Sequence, residues 1–363
     1  MRFSHLFRSQ FQLAIAAAAV VVFAQSGCDA VKDAASDVAD RASDAIDGTD
    51  TATAEPAAAD TDAGGSGTIT AAPPPAKPTP EQVISNFKSI PSNKITDANL
   101  VELASLESGL DQVTEIKLNG SFLGQAGMEA LAKLTSLKKL EYGACQLQGN
   151  GYAPLANLKQ LEYLNLESAR FDNSAMQFIA GLTNLKELVL SGTDVTDESF
   201  RALQNMKQLE VFRIRKTRID GSGFQIFKGS PLRVIEAGKT QFGLHGYKYV
   251  GGMPNLEVLA TSEASVNDNA LRGVRACGNL RELSIGNNMI TDTGLKSLGG
   301  LKNLEKLSLS NNSAITQFGL GVMKRLKNVK FLDINGTKCS DQAARELQEL
   351  LPEADIMFKG MTL

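Results

Sequence analysis

An apolar residue followed three and five places later by two more restarts at Val113, Leu137, Leu161, Leu185, Leu209, Leu232, Leu256, Leu280, Leu304 and Val329. The intervals are 24, 24, 24, 24, 23, 24, 24, 24 and 25 residues. A period this regular marks repeats stacked along one axis, each leaning mainly on its neighbours. The third slot weakens to Tyr142, Ala237 and Thr261, and the unit from Leu209 is one residue short, so local irregularity is expected there.

The stretch from Leu280 to Asn303 shows what one unit encodes. Leu283 and Ile285 alternate with Glu282 and Ser284, the pattern of a short strand with one buried face. Nine places into the unit stands a small group able to satisfy backbone at a turn: Cys145, Thr193, Thr217, Thr240, Asn288, Asn312 or Thr337, with Ala169 and Ala264 as gaps. Two places later an apolar anchor returns, from Leu123 and Leu147 through Ile290 and Ile315 to Cys339. Thr-Asp at 196–197 and 291–292 then reads as an N-cap with an acidic first turn. Apolar residues three apart, such as Phe200 and Leu203 or Leu295 and Leu298, continue as a helix face. Strand and helix share a seam that only stacking covers.

These residues, LxxLxLxxN/C/T followed by ITDxGLxxLxxL, resemble the leucine-rich repeat superfamily, nearest its ribonuclease-inhibitor-like and cysteine-containing classes, and resemble bacterial leucine-rich repeat lipoproteins. The resemblance implies an α/β solenoid, a horseshoe of about ten 24-residue units with a concave parallel sheet and a helical convex face. It implies little about function, because such repeats bind many unrelated partners.

The amino terminus carries a second pattern. Arg2 and Arg8 precede an apolar run from Leu13 to Ala24, too short to span a bilayer, and Ser26-Gly27 lead to Cys28. Residues 24–28 resemble a lipobox, with Gln25 departing from the usual Leu, and the resemblance implies a lipid anchor on Cys28. The alternative is cleavage near Ser26 with a free cysteine left behind. Residues 1–27 are thus read as a lipoprotein signal peptide and 28–78 as an acidic, Ala/Thr/Pro-rich disordered tether. Within the tether, 29–50 is a solvated acidic spacer or a partner-stabilised helix. Thr79-Pro80-Glu81-Gln82 reads as a capping box opening an N-terminal cap over 79–112. The repeats and a C-terminal cap fill 113–363, with Pro352 stopping the last helix and 356–358 adding a closing strand.

The formal net charge is −3, and the tether alone carries more negative charge than that, leaving a near-neutral repeat domain and arguing against a nucleic-acid partner. Cys145, Cys277 and Cys339 fall in different units, too far apart to pair, so free buried thiols are expected. Neither Cys-x-x-Cys nor paired histidines occur, and no metal or cofactor is expected. His245 has no recognisable nucleophile beside it, Gly64 to Gly67 lacks the context of a phosphate loop, and the chain reads as a non-enzyme.

What remains is the outward side of the strands. Residues two and four places after each start form two columns on the concave face. Their middle holds Val189, Val211, Val234, Val258 and Ala260 beside Arg213, Arg215, Lys216, Arg218 and Lys239. Tyr163, Val189, Val211, Arg213, Arg215, Val234, Glu236 and Val258 are therefore the expected protein-binding residues. The function expected is protein recognition by an exported, membrane-anchored envelope lipoprotein, periplasmic or surface-facing, with an unidentified protein ligand. The alternative is a glycan- or peptidoglycan-binding lipoprotein, disfavoured by few concave aromatics, chiefly Tyr163 and Phe331, and no Trp.

Overall fold

The computed structural model describes residues 77–363. The expected signal segment, Cys28 and the tether up to residue 76 lie outside the described residues.

Each repeat start is followed two places on by a three-residue strand. In order these are β1 (Glu115–Lys117), β2 (Lys139–Glu141), β3 (Tyr163–Asn165), β4 (Glu187–Val189) and β5 (Val211–Arg213). They continue as β6 (Val234–Glu236), β7 (Val258–Ala260), β8 (Glu282–Ser284), β9 (Lys306–Ser308) and β10 (Phe331–Asp333). With β11 (Asp355–Phe358) and β12 (Met361–Thr362) they make one 12-stranded sheet in sequence order. All neighbours are parallel except β12, which turns back on β11. This is the α/β solenoid expected from the period.

The central residue of every strand from Ile116 to Ile356 is at most 2% exposed. Each such aliphatic side chain contributes roughly 1.5–3 kcal/mol by leaving water. The resulting core runs without a break from Ile84 to Phe358. It is aromatic where the repeats are least regular. Phe200, Phe212, Phe224, Phe227 and Phe242 lie with ring centroids 4.8–6.1 Å apart in chain-adjacent units.

The irregularity expected at Tyr142, Ala237 and Thr261 does not reach the sheet. All three are fully buried, and the strands carrying them keep register. Side chains absorb the differences: Tyr247 fills space behind Thr261, their hydroxyls 2.7 Å apart, and Tyr152 reaches Cys145 at 3.2 Å. The short unit from Leu209 adapts in its return segment, a six-residue 3-10 turn over Ser222–Phe227 entered from left-handed Gly221.

Regular α-helices of seven residues or more are α1 (Pro80–Ser89), α2 (Asp97–Ala104), α3 (Gln125–Leu131) and α4 (Asp341–Leu350). Elsewhere the return segments are single α turns or 3-10 pieces, such as Asp197–Leu203 and Gly319–Arg325. The 3-10 form rises further per residue and lets a 24-residue unit recross the layer with fewer residues. At Thr79 the capping box is present, Thr79 and Gln82 each holding the other's backbone N–H. α4 ends before Pro352.

Between units, the turn after each strand forms a ladder. The residue seven places after every repeat start is left-handed: Gly120, Ala144, Ser168, Gly192, Lys216, Lys239, Glu263, Asn287, Asn311 and Gly336, with φ between 52° and 73°. That conformation aims the N–H of the first nine at a carbonyl of the next unit, 2.7–3.0 Å away. Five of the ten are neither Gly nor Asn, the residues that enter this region most cheaply.

Candidate functional site

The outward residues of β4 to β7 form the face expected to bind protein. Strand register places Val211, Val234 and Val258 directly side by side, each half-buried. In the same row Glu187 stands on one side and Glu282 on the other. Val189 lies in the second row but is only 4% exposed, and Ala260 8%. Both are buried, so Val189, expected as a contact residue, offers little surface to a partner.

The basic character expected around this patch is largely neutralised. Arg213 pairs with Glu187 on β4 and with Glu236 on β6, the latter at 2.9 Å. Lys239 lies 3.6 Å from Glu263, and Arg218 3.5 Å from Asp194. Arg215 is half-buried, its guanidinium over Gly238, and neither it nor Lys216 has an ion pair among the described residues. The surface is thus an apolar row with compensated charges on its flank, because the sequence columns list charges without showing which ones meet.

Towards β1 the same face is a network of ion pairs. Lys139 bonds Glu115 at 2.9 Å and approaches Glu141 at 3.3 Å; Lys117 approaches Glu141 at 3.4 Å. Glu115 above all holds the Lys139 ammonium beyond its usual range. Burial works against the Glu141 carboxylate, but Lys139 and Lys117 outweigh it and hold its pKa down. Tyr163 sits at the border with Lys139 over its ring, 5.2 Å from the centroid, and burial raises its phenol.

A second charge pattern escaped the sequence reading. The residue after each repeat start alternates in sign over nine units: Lys138, Glu162, Lys186, Glu210, Arg233, Glu257, Arg281, Glu305, Lys330. Contacts along it include Lys186–Glu162 at 2.6 Å, Arg233–Glu257 at 3.1 Å and Lys330–Glu305 at 3.2 Å. A period of two units is invisible when repeats are compared one by one.

The Thr-Asp motif is also more than a local cap. Asp268 accepts from the backbone N–H of Thr291 at 2.8 Å and from its hydroxyl at 2.6 Å. Asp292 does the same for Thr316, at 2.7 and 2.6 Å. Thr196 makes no side-chain cap bond; it receives the Asn173 amide at 2.7 Å. Glycine must follow, since a Cβ at Gly294 or Gly319 would strike the Asp268 or Asp292 carboxylate. Asn288 bridges units likewise, its Oδ1 accepting from Ala264 and Val266 and so serving the gap at Ala264.

His245 is exposed, with Nδ1 3.3 Å from Asp220. Asp197, raised by burial, receives the backbone N–H groups of Asp220 and Gly223. This carboxylate pair serves the turn. Cys145, Cys277 and Cys339 are free and buried. Burial pushes the Cys277 thiol up to about 11. Among the described residues no group of His, Cys, Asp and Glu is placed to hold a metal ion, and no helix is long and apolar enough to cross a membrane. A recess of about 210 Å³ between Arg281, Asn303, Glu305, Asn328 and Lys330 is smaller than ordinary ligand pockets.

Residues 278–338 match the family model described as leucine rich repeat, and 181–203 match a second model of that description. Among curated proteins nothing matches the chain. Similar solved structures include a leucine-rich repeat protein of Leptospira interrogans, 17% identical over 72% of this chain and 74% of that one, TM-score 0.47. Another is an internalin from Listeria monocytogenes, 17% identical over 77% and 93%, TM-score 0.45. A third is a plant peptide hormone receptor in complex with RGF2, 14% identical over 74% of this chain and 41% of the receptor, TM-score 0.46.

Proposed function

We propose, from the premise that this chain is a leucine-rich repeat protein, that it recognises another protein through the open face of β4 to β7. Proteins of this family generally mediate protein–protein recognition. The observation that carries the reading is the in-register row Val211, Val234 and Val258, an accessible apolar strip on a face whose neighbouring outward residues are charged and paired. An apolar centre with a polar rim is how such contacts are built. Tyr163, Arg213, Arg215 and Glu236 supply that rim.

We place the protein in the bacterial cell envelope, exported and anchored through a lipid on Cys28. Gly27-Cys28 after a short apolar run supports this reading. The reading involves no catalysis, cofactor or nucleic acid.

Val234→Lys tests the site. Its in-register neighbours are valines, so the new charge meets no like charge across the strands. Arg213→Glu is unsuitable, because it would gather three carboxylates where Arg213 now joins Glu187 and Glu236. Capture of envelope proteins from a detergent extract should fall at least about tenfold with Val234→Lys, as for loss of a central contact, at unchanged thermal stability. Undiminished capture removes the site. Binding to isolated wall polysaccharide instead would favour a glycan ligand.

A further inference from the structure

The return segments of three successive units carry charge of one sign. Residues 269–281, 293–304 and 306–332 contain no Asp or Glu. Within them Arg272, Arg275, Lys296, Lys302, Lys324, Arg325 and Lys327 are exposed, and none has an ion pair among the described residues. The carboxylates at the border are occupied. Asp268 and Asp292 hold Thr291 and Thr316, and Glu305 lies between Arg281 at 3.6 Å and Lys330 at 3.2 Å. The two ends of the array have the opposite character. Residues 80–112 carry Glu81, Asp97, Glu102, Glu107 and Asp111 against Lys88 and Lys94. Residues 340–355 carry five carboxylates against Arg345.

Small residues interleave these cations. Ala276, Gly278, Gly300 and Gly321 are exposed, and a Cβ at Gly278 or Gly321 would meet nothing. Phe318, just before the 3-10 piece Gly319–Arg325 of the third segment, is 82% exposed. The cations therefore stand over low ground, spread across three units, instead of converging on a pocket as a discrete anion would require. No aromatic platform for stacking nucleobases accompanies them.

We propose that this helical side of the units from Leu256 to Asn328 docks on a bilayer surface rich in anionic phospholipid, with Phe318 entering the headgroup region. Unpaired Lys and Arg near such a surface each strengthen binding by roughly fivefold, and an exposed aromatic ring suits the interface. The face is distinct from the valine row, which remains free for a protein partner. The inference goes beyond the recognition reading and does not depend on it.

The test uses the chain from Asp29 onward, which keeps every buried residue named above but lacks the apolar run and Cys28. It should sediment with phosphatidylcholine vesicles containing about one-third phosphatidylglycerol, not with phosphatidylcholine alone, and be released near about 0.5 M salt. Lys296→Glu with Lys324→Glu and Arg325→Glu should weaken binding more than about a hundredfold. Lys133→Glu with Lys159→Glu and Arg201→Glu, an equal charge change on return segments of other units, should weaken it far less. Phe318→Ser should weaken it at unchanged net charge. Val234→Lys should leave it intact while lowering protein capture as above, so the two readings fail separately. Equal binding to both vesicle types, equal loss in both triple variants, or binding to polyphosphate or nucleic acid but not to vesicles would overturn the proposal.

Discussion

Asp268 and Gly294 stand in different units and touch in the fold, and the contact explains both residues. The carboxylate needs room to reach Thr291, and any side chain at Gly294 would occupy it. Gly294→Ala should therefore destabilise by about 1–3 kcal/mol, the range for overpacking a tight site. Gly321→Ala meets open space and should be neutral or stabilise by up to about 1 kcal/mol. Denaturant unfolding of the two variants checks the contrast. Cys277 gives a pH-dependent prediction. Its unfolded thiol titrates near about 8.5, while burial lifts the folded one to about 11. The folded state thus favours the protonated form; its contribution is complete below the unfolded value and lost as pH rises towards the folded one. Cys277→Ala should flatten the fall of stability across that window, measured by urea unfolding at successive pH values.

At the scale of elements, the strands owe their order to side chains that recur once per unit and to charges that recur every second unit. Glu257 lies between Arg233 and Arg281 in the alternating row. Glu257→Lys places three cations in succession, which should cost about 1 kcal/mol at low ionic strength and less in high salt. Unfolding at two salt concentrations checks this, since salt should shrink the cost of Glu257→Lys more than that of a neutral Glu257→Gln. Strands and anchors were legible in the sequence because Leu, Ile and Val keep one period and one face. The left-handed column was not, because Lys216, Lys239 and Glu263 carry no sign of it. The Thr-Asp motif read as a cap, which Thr291 is, its hydroxyl accepting from the Thr293 N–H; its link to the neighbouring unit was not legible because that partner lies a unit away. Val189 looked exposed because alternation gives the side of a strand and not the height of its neighbours.

Across the whole described array, sheet, core and ladders run from cap to cap, and the two long faces have different chemistry. One presents a valine row whose flanking charges are largely paired; the other presents cations without ion pairs over three units. The proposed division of labour puts protein recognition on the sheet side. Site-specific photo-crosslinking in living cells tests that assignment most directly. A photoreactive residue at Val234 should yield a discrete adduct with one protein, and the same residue at Gln225, exposed on the return segment of the neighbouring unit, should yield none. Adducts from Gln225 but not from Val234, or the same adducts from both, would contradict it.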